Sequence, residues 1–138
     1  LNAGVSTTLY YGARRQEELF YVDWFLDLGV NVVLSTEDGS RGERGRIIAP
    51  LEQALAARPA EQPVTLYACG PEGMLAATAK VAATYARPCQ VSVERTMGCG
   101  MGGCYSCVVP MLNEAGQRHH VRSCLAGPVL DADRICWE

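Results

Sequence analysis

The sequence lacks several features that mark large classes of protein. None of its apolar runs approaches the roughly 18 residues that suggest a membrane span. Its net charge is −3 and its twelve Lys and Arg residues are dispersed, which gives no electrostatic basis for nucleic-acid binding. The first residues have neither the basic start nor the apolar stretch of a secretory signal peptide. These absences predict a cytoplasmic protein with no membrane span and no nucleic-acid partner.

Motifs for catalysis by side chains are also absent. No general base, nucleophile or paired-carboxylate site is visible, and the only two histidines, His119 and His120, lie in a polar stretch where surface positions are expected. The pattern GxGxxG occurs only as GCGMGG within the cysteine stretch, and not between a predicted strand and a predicted helix, where it would cradle a pyrophosphate. We therefore predict no catalytic side chain in this segment, and we expect bound cofactors to supply its chemistry.

Cysteine, by contrast, is abundant. There are seven cysteines, an odd number, and without a secretory signal this argues against a disulfide framework. Three of them, Cys99, Cys104 and Cys107, lie in the stretch CGMGGCYSCVV, and Cys124 follows after sixteen residues. The pattern C-x4-C-x2-C followed by a distant cysteine is the plant-type [2Fe–2S] ferredoxin spacing. The spacing predicts a [2Fe–2S] cluster.

The glycines of this stretch support a cluster. Three thiolates from one loop must curl over two irons, and a side chain at Gly100, Gly102 or Gly103 would hit the cluster or turn amide N–H groups away from it. Two other interpretations are open. Zinc could take four thiolates, although its sites favour two C-x2-C pairs and only one is present here. The cysteines could also be ordinary core residues, which is the interpretation we give to Cys69, Cys89 and Cys136.

The rest of the chain has an α/β pattern. At 138 residues it fits one domain, or one domain with a small appendage. Strands and helices alternate from residue 7 to about 94, as in a doubly wound parallel sheet. The strands are predicted over 7–11, 30–35, 64–68 and 89–94, and the helices over 14–28, 47–55 and after Pro71. We therefore predict a partial nucleotide-binding domain over 1–94 and a cluster module over 95–138, the latter too small to fold without its metal.

At this point the sequence resembles a known family. The cysteine loop and tail are similar to the iron–sulfur module of the electron-transfer subunit of dihydroorotate dehydrogenase B. The preceding part is similar to the nicotinamide-binding half of the ferredoxin–NADP reductase superfamily, to which that subunit belongs. The stretches that carry the resemblance are YYGARRQEEL, TEDGSRGERG, YACGPEGML, RTMGCGMGGCYSCVVPM and VRSCLAGPVLDADRICWE.

The resemblance implies roles for particular residues. It implies that Cys99, Cys104, Cys107 and Cys124 hold the cluster, and it selects Cys124 over Cys136 as the fourth ligand. It also implies two groups of contacts to NAD. The residues that would meet the adenosine ribose are Gly12, Ala13 and Arg14. The residues that would lie beside the nicotinamide are Cys69, Gly70 and Pro71, with Met74 behind them.

The chain also departs from the family pattern. Neither the flavin barrel nor the first strand with its glycine-rich phosphate loop is found before Thr7. The resemblance therefore implies that FAD is bound by a preceding part of the full subunit, and we expect the 138 residues alone to be inactive with NADH. A sheet that lacks its first strand would leave neighbouring strands unpaired. We therefore expect a rearrangement of the sheet, contacts between copies of the chain, or other residues that fill the gap.

The function that the resemblance implies is electron relay. Electrons would pass between NAD(H) with flavin and a catalytic dehydrogenase subunit through the [2Fe–2S] cluster, with dihydroorotate dehydrogenase of pyrimidine biosynthesis as the partner. Two alternatives remain open at this stage. One is a gamma-type reductase subunit of a hydrogenase or sulfide dehydrogenase. The other is a standalone ferredoxin-like electron carrier.

Overall fold

The computed structural model describes residues 4–137, which form two compact units. The first unit extends to Arg58 and the second begins at Pro59. Parallel strands joined through helices occur in each unit, which confirms the predicted α/β fold class. Within the part of the chain that is described, no helix has both the length and the apolar character needed to cross a membrane.

The first unit is built on a three-stranded parallel sheet in the order β1-β2-β3. Its elements are β1 (Thr8–Ala13), α1 (Val22–Asp27), β2 (Asn31–Thr36), β3 (Glu43–Arg44) and α2 (Ile48–Ala56). The register pairs Thr8 with Asn31 and Ala13 with Thr36, so the two long strands end at the same edge. In parallel sheets that edge is where ligands usually bind.

The single helix predicted over 14–28 is wrong in its extent. The segment instead contains a 3-10 turn at Gln16–Glu18 and the short helix α1. The break lies at Tyr21, whose φ of 59° is left-handed and incompatible with a continuous right-handed helix. The spacing of the apolar residues suggested one long helix with a continuous buried face, but only Leu19 and Val22 of this segment are buried.

The stretch 36–45, which lies between a predicted strand and a predicted helix, contains the two-residue strand β3. Gly42 makes this possible because its φ is +73° and a Cβ there would overlap the carbonyl oxygen of Leu34. The loop therefore folds closely over the end of β2, and Thr36 Oγ1 closes it by donating to the Arg41 carbonyl at 2.9 Å.

The second unit contains two sheets. In the first, β4 and β5 are parallel and β8 adds antiparallel to β5; in the second, β6 and β7 form a hairpin. The elements are β4 (Leu66–Cys69), α3 (Glu72–Thr84), β5 (Cys89–Ser92), β6 (Val108–Leu112), β7 (Arg118–Arg122), α4 (Ser123–Ala126) and β8 (Val129–Asp131).

One hydrophobic core lies beneath these sheets. Leu75 of α3, Val91 of β5, Val109 of β6 and Leu130 of β8 all belong to it. The residues after 94 therefore share the core of the α/β part and do not form a small core of their own. Their need for metal in order to fold stays a prediction. The boundary predicted after residue 94 falls between strands of one unit and, as a division of function, stays a prediction.

Candidate metal centre

The cysteine loop, residues 98–107, connects β5 with β6 and contains no regular strand or helix. Its backbone enters the left-handed region three times, at Gly100 (φ 67°), Gly102 (φ 84°) and Tyr105 (φ 60°). Alternating handedness turns successive N–H groups inward, which makes a concave surface of amide donors. Such a surface stabilises negatively charged sulfur.

Cys99 lies at the centre of these donors. The amides of Cys104, Met101 and Gly103 point at its Sγ, and the distances from the Gly103 and Cys104 nitrogens are 3.2 and 3.4 Å. These hydrogen bonds, that of Cys104 above all, lower the pKa of the Cys99 thiol to about 6. The loop therefore holds Cys99 as a thiolate near neutral pH, which is the form that binds metal.

Cys107 and Cys124 form a second linked pair. Cys107 ends the loop with 3% of its surface exposed, and its carbonyl accepts the amide of Ser123 at 3.1 Å. The Cys124 amide donates toward Cys107 Sγ and lowers the pKa of Cys107. The thiol of Cys124 donates to the same sulfur, and this raises the pKa of Cys124. The two thiols are thus in hydrogen-bonding contact.

The four predicted ligand cysteines are therefore grouped in two pairs, Cys99 with Cys104 and Cys107 with Cys124. The Gly102 amide donates toward Cys124, and the charge on Cys99 also acts on Cys124. Across residues 4–137, no group of three or more His, Cys, Asp or Glu side chains is arranged to hold a metal ion. The thiols instead flank a lining of amide donors, and this donor set fits an iron–sulfur cluster.

Two loop contacts were missed by reasoning from sequence. A Cβ on Gly98 would lie 2.9 Å from Cys104 Sγ, so this glycine leaves room for a sulfur. A Cβ on Gly102 would lie 2.7 Å from Cδ1 of Leu125, so Leu125 covers the loop from the segment that carries Cys124. In the sequence, Gly98 is next to Cys99 and Leu125 is next to Cys124. Proximity to a predicted ligand was therefore the signal that could have identified these two residues.

The remaining cysteines lie away from this loop in the fold. Cys89 starts β5, is half-buried and packs against the core, where burial raises the pKa of its thiol. Cys136 is half-buried, and its amide donates to the Pro110 carbonyl at 2.9 Å. Cys69 is exposed at the last position of β4.

In the first unit, Gly12, Ala13 and Arg14 occupy the carboxyl end of β1. A Cβ on Gly12 would lie 2.8 Å from Cβ of Ile47, so the close approach of Ile47 requires glycine there. The Arg14 side chain is 77% exposed, and its Nε lies 3.5 Å from the Glu18 carboxylate. Ala13 is half-buried, and its carbonyl accepts the Glu37 amide at 3.1 Å. The arrangement leaves an exposed guanidinium at the edge of this sheet.

In the second unit, Cys69, Gly70 and Pro71 form the turn from β4 into α3. Gly70 has a φ of +151°, and Cε of Met74 would lie 2.6 Å from a Cβ there, so Met74 packs over the glycine. Pro71 precedes the first helical residue, as predicted, and its carbonyl accepts the amides of Met74 and Leu75. Each predicted group of nucleotide contacts therefore stands at the carboxyl end of a parallel strand in its own unit.

Comparison with known proteins supports the metal centre. Residues 94–136 match the family described as the iron–sulfur cluster binding domain of dihydroorotate dehydrogenase B. The segment includes all four predicted ligand cysteines. The chain thus has, after an α/β part, a segment similar to iron–sulfur cluster binding domains.

Over its length the chain is similar to dihydroorotate dehydrogenase B (NAD(+)) electron transfer subunits. Identity is 32% over 137 residues for Desulforamulus reducens, covering 99% of this chain and 51% of the relative. For Bacillus caldolyticus it is 36% over 132 residues, covering 96% and 48%. The chain thus spans about half the length of these relatives. The predicted resemblance to this electron transfer subunit is confirmed.

A solved structure has a similar fold. It is a chain from the NADH-dependent reduced ferredoxin-NADP oxidoreductase, a protein studied for flavin-based electron bifurcation. The TM-score is 0.76 at 26% identity, with 99% of this chain and 46% of that chain covered. This neighbour confirms that the chain has the fold of the ferredoxin–NADP reductase superfamily.

Proposed function

We propose that this chain is the cluster-carrying part of a cytoplasmic electron-transfer subunit. In it, Cys99, Cys104, Cys107 and Cys124 hold a [2Fe–2S] cluster. Electrons pass between NAD(H) with flavin and a catalytic dehydrogenase subunit, which we infer to be dihydroorotate dehydrogenase of pyrimidine biosynthesis. FAD would be bound by residues outside this chain.

The observation that carries this proposal is the association of the four thiols in two pairs beside inward-pointing amides. Two irons with four thiolates require two thiolates each, and the cysteines are already associated two and two. Amides of Met101, Gly103 and Cys104 surround Cys99, and that of Gly102 reaches Cys124. A zinc site would instead need all four sulfurs to converge on one ion.

The residues of the loop position and tune this group. A bound [2Fe–2S] cluster supplies one-electron transfer. The amides that face the sulfurs stabilise added negative charge, which raises the reduction potential. Gly98 and Gly102 let the backbone and Leu125 close over the loop, and burial of Cys107 excludes water from that side.

We infer that NAD binds at the carboxyl ends of the parallel strands. In the first unit the exposed Arg14 guanidinium suits an anionic or hydroxyl-rich part of the dinucleotide. In the second unit Cys69 is exposed, and Gly70 lacks the Cβ that would obstruct a flat ring. These positions support, residue by residue, the contacts that the family resemblance implies.

The surface around the loop supports a protein partner. Four apolar side chains there are strongly exposed: Met97 at 52%, Met101 at 79%, Tyr105 at 63% and Leu125 at 60%. Apolar side chains grouped on a surface mark contact sites in soluble proteins. Electron transfer needs close approach, so we infer that the catalytic subunit docks over this loop.

The first experiment determines the metal. Protein purified without oxygen should be red-brown, contain about two irons and two acid-labile sulfides per chain, and give an electron paramagnetic resonance signal after reduction with dithionite. Stoichiometric zinc without sulfide would overturn the proposal.

The second experiment tests the partner. In the complex, Met101→Glu and Tyr105→Glu should slow electron transfer to the dihydroorotate dehydrogenase subunit at least tenfold while iron content is unchanged. Val5→Glu, at a position 63% exposed in the first unit, is the matched control and should have no effect. A full complex that reduces a hydrogenase or sulfide dehydrogenase subunit, but not dihydroorotate dehydrogenase, would assign the chain to the other reductase class.

A further inference from the structure

Arg122 contacts the cysteine loop from the strand leading to Cys124. It is the last residue of β7 and is half-buried. Its Nη1 donates to the Gly102 carbonyl at 2.7 Å, a short charge-assisted hydrogen bond. Its guanidinium carbon also lies 5.0 Å from the ring centroid of Tyr105, within cation–π range.

These contacts hold Gly102 from several sides. Its carbonyl accepts from Arg122, its amide donates toward Cys124, and Leu125 packs against its Cα. The three contacting residues come from one short segment, 122–125. The segment therefore closes on the loop at a single glycine. Its φ of +84° is strained for any other residue, and Leu125 occupies the place that a Cβ would take.

Among residues 4–137, no carboxylate forms an ion pair with Arg122, whereas Arg14, Arg41 and Arg95 each pair with an acidic residue. Arg122 instead uses a carbonyl and an aromatic face, both of which leave its positive charge intact. A partly buried, uncompensated cation acts strongly on anionic groups nearby.

We propose that Arg122 is a positioning residue of the metal centre that also tunes it. Its side chain contacts Gly102 and Tyr105 and so holds the loop against the segment that carries Cys124. Its positive charge favours the reduced cluster. The inference rests on the proposed function, because it assumes a cluster held by the four cysteines. Reduction adds one electron to a group that is already anionic, so an adjacent cation makes this step more favourable.

The test compares three variants of the protein loaded with its cluster. Arg122→Gln keeps an amide donor and removes the charge, whereas Arg122→Lys keeps the charge and removes the planar group over Tyr105. Arg118→Gln removes the same charge from the start of the same strand, roughly 13 Å further along at the usual rise per residue. At that distance solvent and salt screen most of the interaction.

Two quantities are measured, the reduction potential and the rate of iron release to a chelator. Arg122→Gln should shift the reduction equilibrium at least tenfold toward the oxidised form, about 59 mV for a one-electron couple. Arg122→Lys and Arg118→Gln should shift it less than threefold. Iron release should be at least threefold faster in Arg122→Gln than in Arg118→Gln.

The outcomes separate the two proposals. A wild-type protein without iron and sulfide overturns the proposed function and this inference with it. If the wild-type protein holds a cluster, and Arg122→Gln has the same reduction potential and the same rate of iron release, the inference about Arg122 alone is overturned. If Arg122→Gln cannot retain a cluster and Arg122→Lys can, the requirement for the charge is supported. Loss of the cluster in both variants overturns the tuning role.

Discussion

In the second unit, the cysteine loop and the hydrophobic core are held by different kinds of contact. Residues 98–107 are mostly exposed. Their conformation is held by hydrogen bonds to sulfur and by the hydrogen bond from Arg122 to the Gly102 carbonyl. The core around Val91 and Val109, both fully buried, comes from apolar packing between α3 and three strands. Two parts of one unit thus depend on different interactions.

These different contacts predict that the metal centre and the fold are separable. The hairpin of β6 and β7 places Val109 and Met111 in the core while its ends carry Cys107 and lead to Cys124. The core therefore brings the two ends of the site together through apolar packing. We expect the core to keep its packing when the loop loses its cluster.

The largest effect is expected from the ligand thiols. Replacing Cys104, Cys107 or Cys124 by Ser exchanges a soft thiolate for a poor ligand, and the visible absorption and iron content should be lost. Circular dichroism in the far ultraviolet should change little, because Val109, Leu130 and Ile135 keep the residues after 94 attached to the core. A general loss of strand signal would mean that the tail depends on metal for its fold.

The next effect is expected in the core. Leu75 is 1% exposed, and Leu75→Ala should lower the free energy of unfolding by about 2–5 kcal/mol, measured by urea denaturation. Iron content of the folded protein should be unchanged. Val129→Ala, at a position 50% exposed in β8, should cost less than about 1 kcal/mol. Equal losses in the two variants would contradict the assigned core.

A smaller effect is expected from the cysteines outside the loop. Cys89→Ser and Cys136→Ser place a hydroxyl in half-buried sites and should cost about 1–3 kcal/mol while the visible absorption remains. Cys124 provides the contrast, since it pairs with Cys107. A bleached Cys136→Ser beside an intact Cys124→Ser would make Cys136 the fourth ligand.

The smallest effect is expected at the Glu72–Arg95 ion pair, which joins the start of α3 to the residues before the loop at 2.9 and 3.1 Å. Arg95 lowers the pKa of Glu72 below its usual 4.5, so the pair stabilises the fold above that value and the contribution disappears as pH falls through the lowered pKa. Because Glu72 is largely exposed, Glu72→Gln should cost about 0.2–1 kcal/mol at pH 7.

The control for this ion pair is Glu114→Gln, at an exposed position in the turn of the hairpin. Unfolding free energies are compared at neutral pH and at a pH below the lowered pKa of Glu72. The gap between wild type and Glu72→Gln should close at the lower pH, whereas Glu114→Gln should follow wild type throughout. A gap that persists in acid would show that Glu72 acts through packing and not through its charge.

Short-range sequence patterns predicted much of the fold and of the candidate site. They failed where contacts between residues far apart in the sequence determine the structure. The turn at Cys69, Gly70 and Pro71 was expected from adjacent residues, and α3 does begin just after Pro71. The long helix over 14–28 was not formed, because the left-handed Tyr21 interrupts a pattern of apolar spacing that says nothing about such a break. Leu125 was missed because its contact with Gly102 spans the hairpin.

The sequence by itself determined the chemistry of the metal centre. Three ligands in one loop are a local matter, so the spacing of Cys99, Cys104 and Cys107 and the glycines between them were enough to predict a [2Fe–2S] cluster. Only the tertiary structure decided how that loop is supported. Strand β8 has three residues and no readable periodicity, yet it pairs with β5 across a separation of 41 residues at Gln90 and Asp131. Burial of Leu130 and Ala132 beside Val91 specifies this pairing, and burial depends on the whole packed unit.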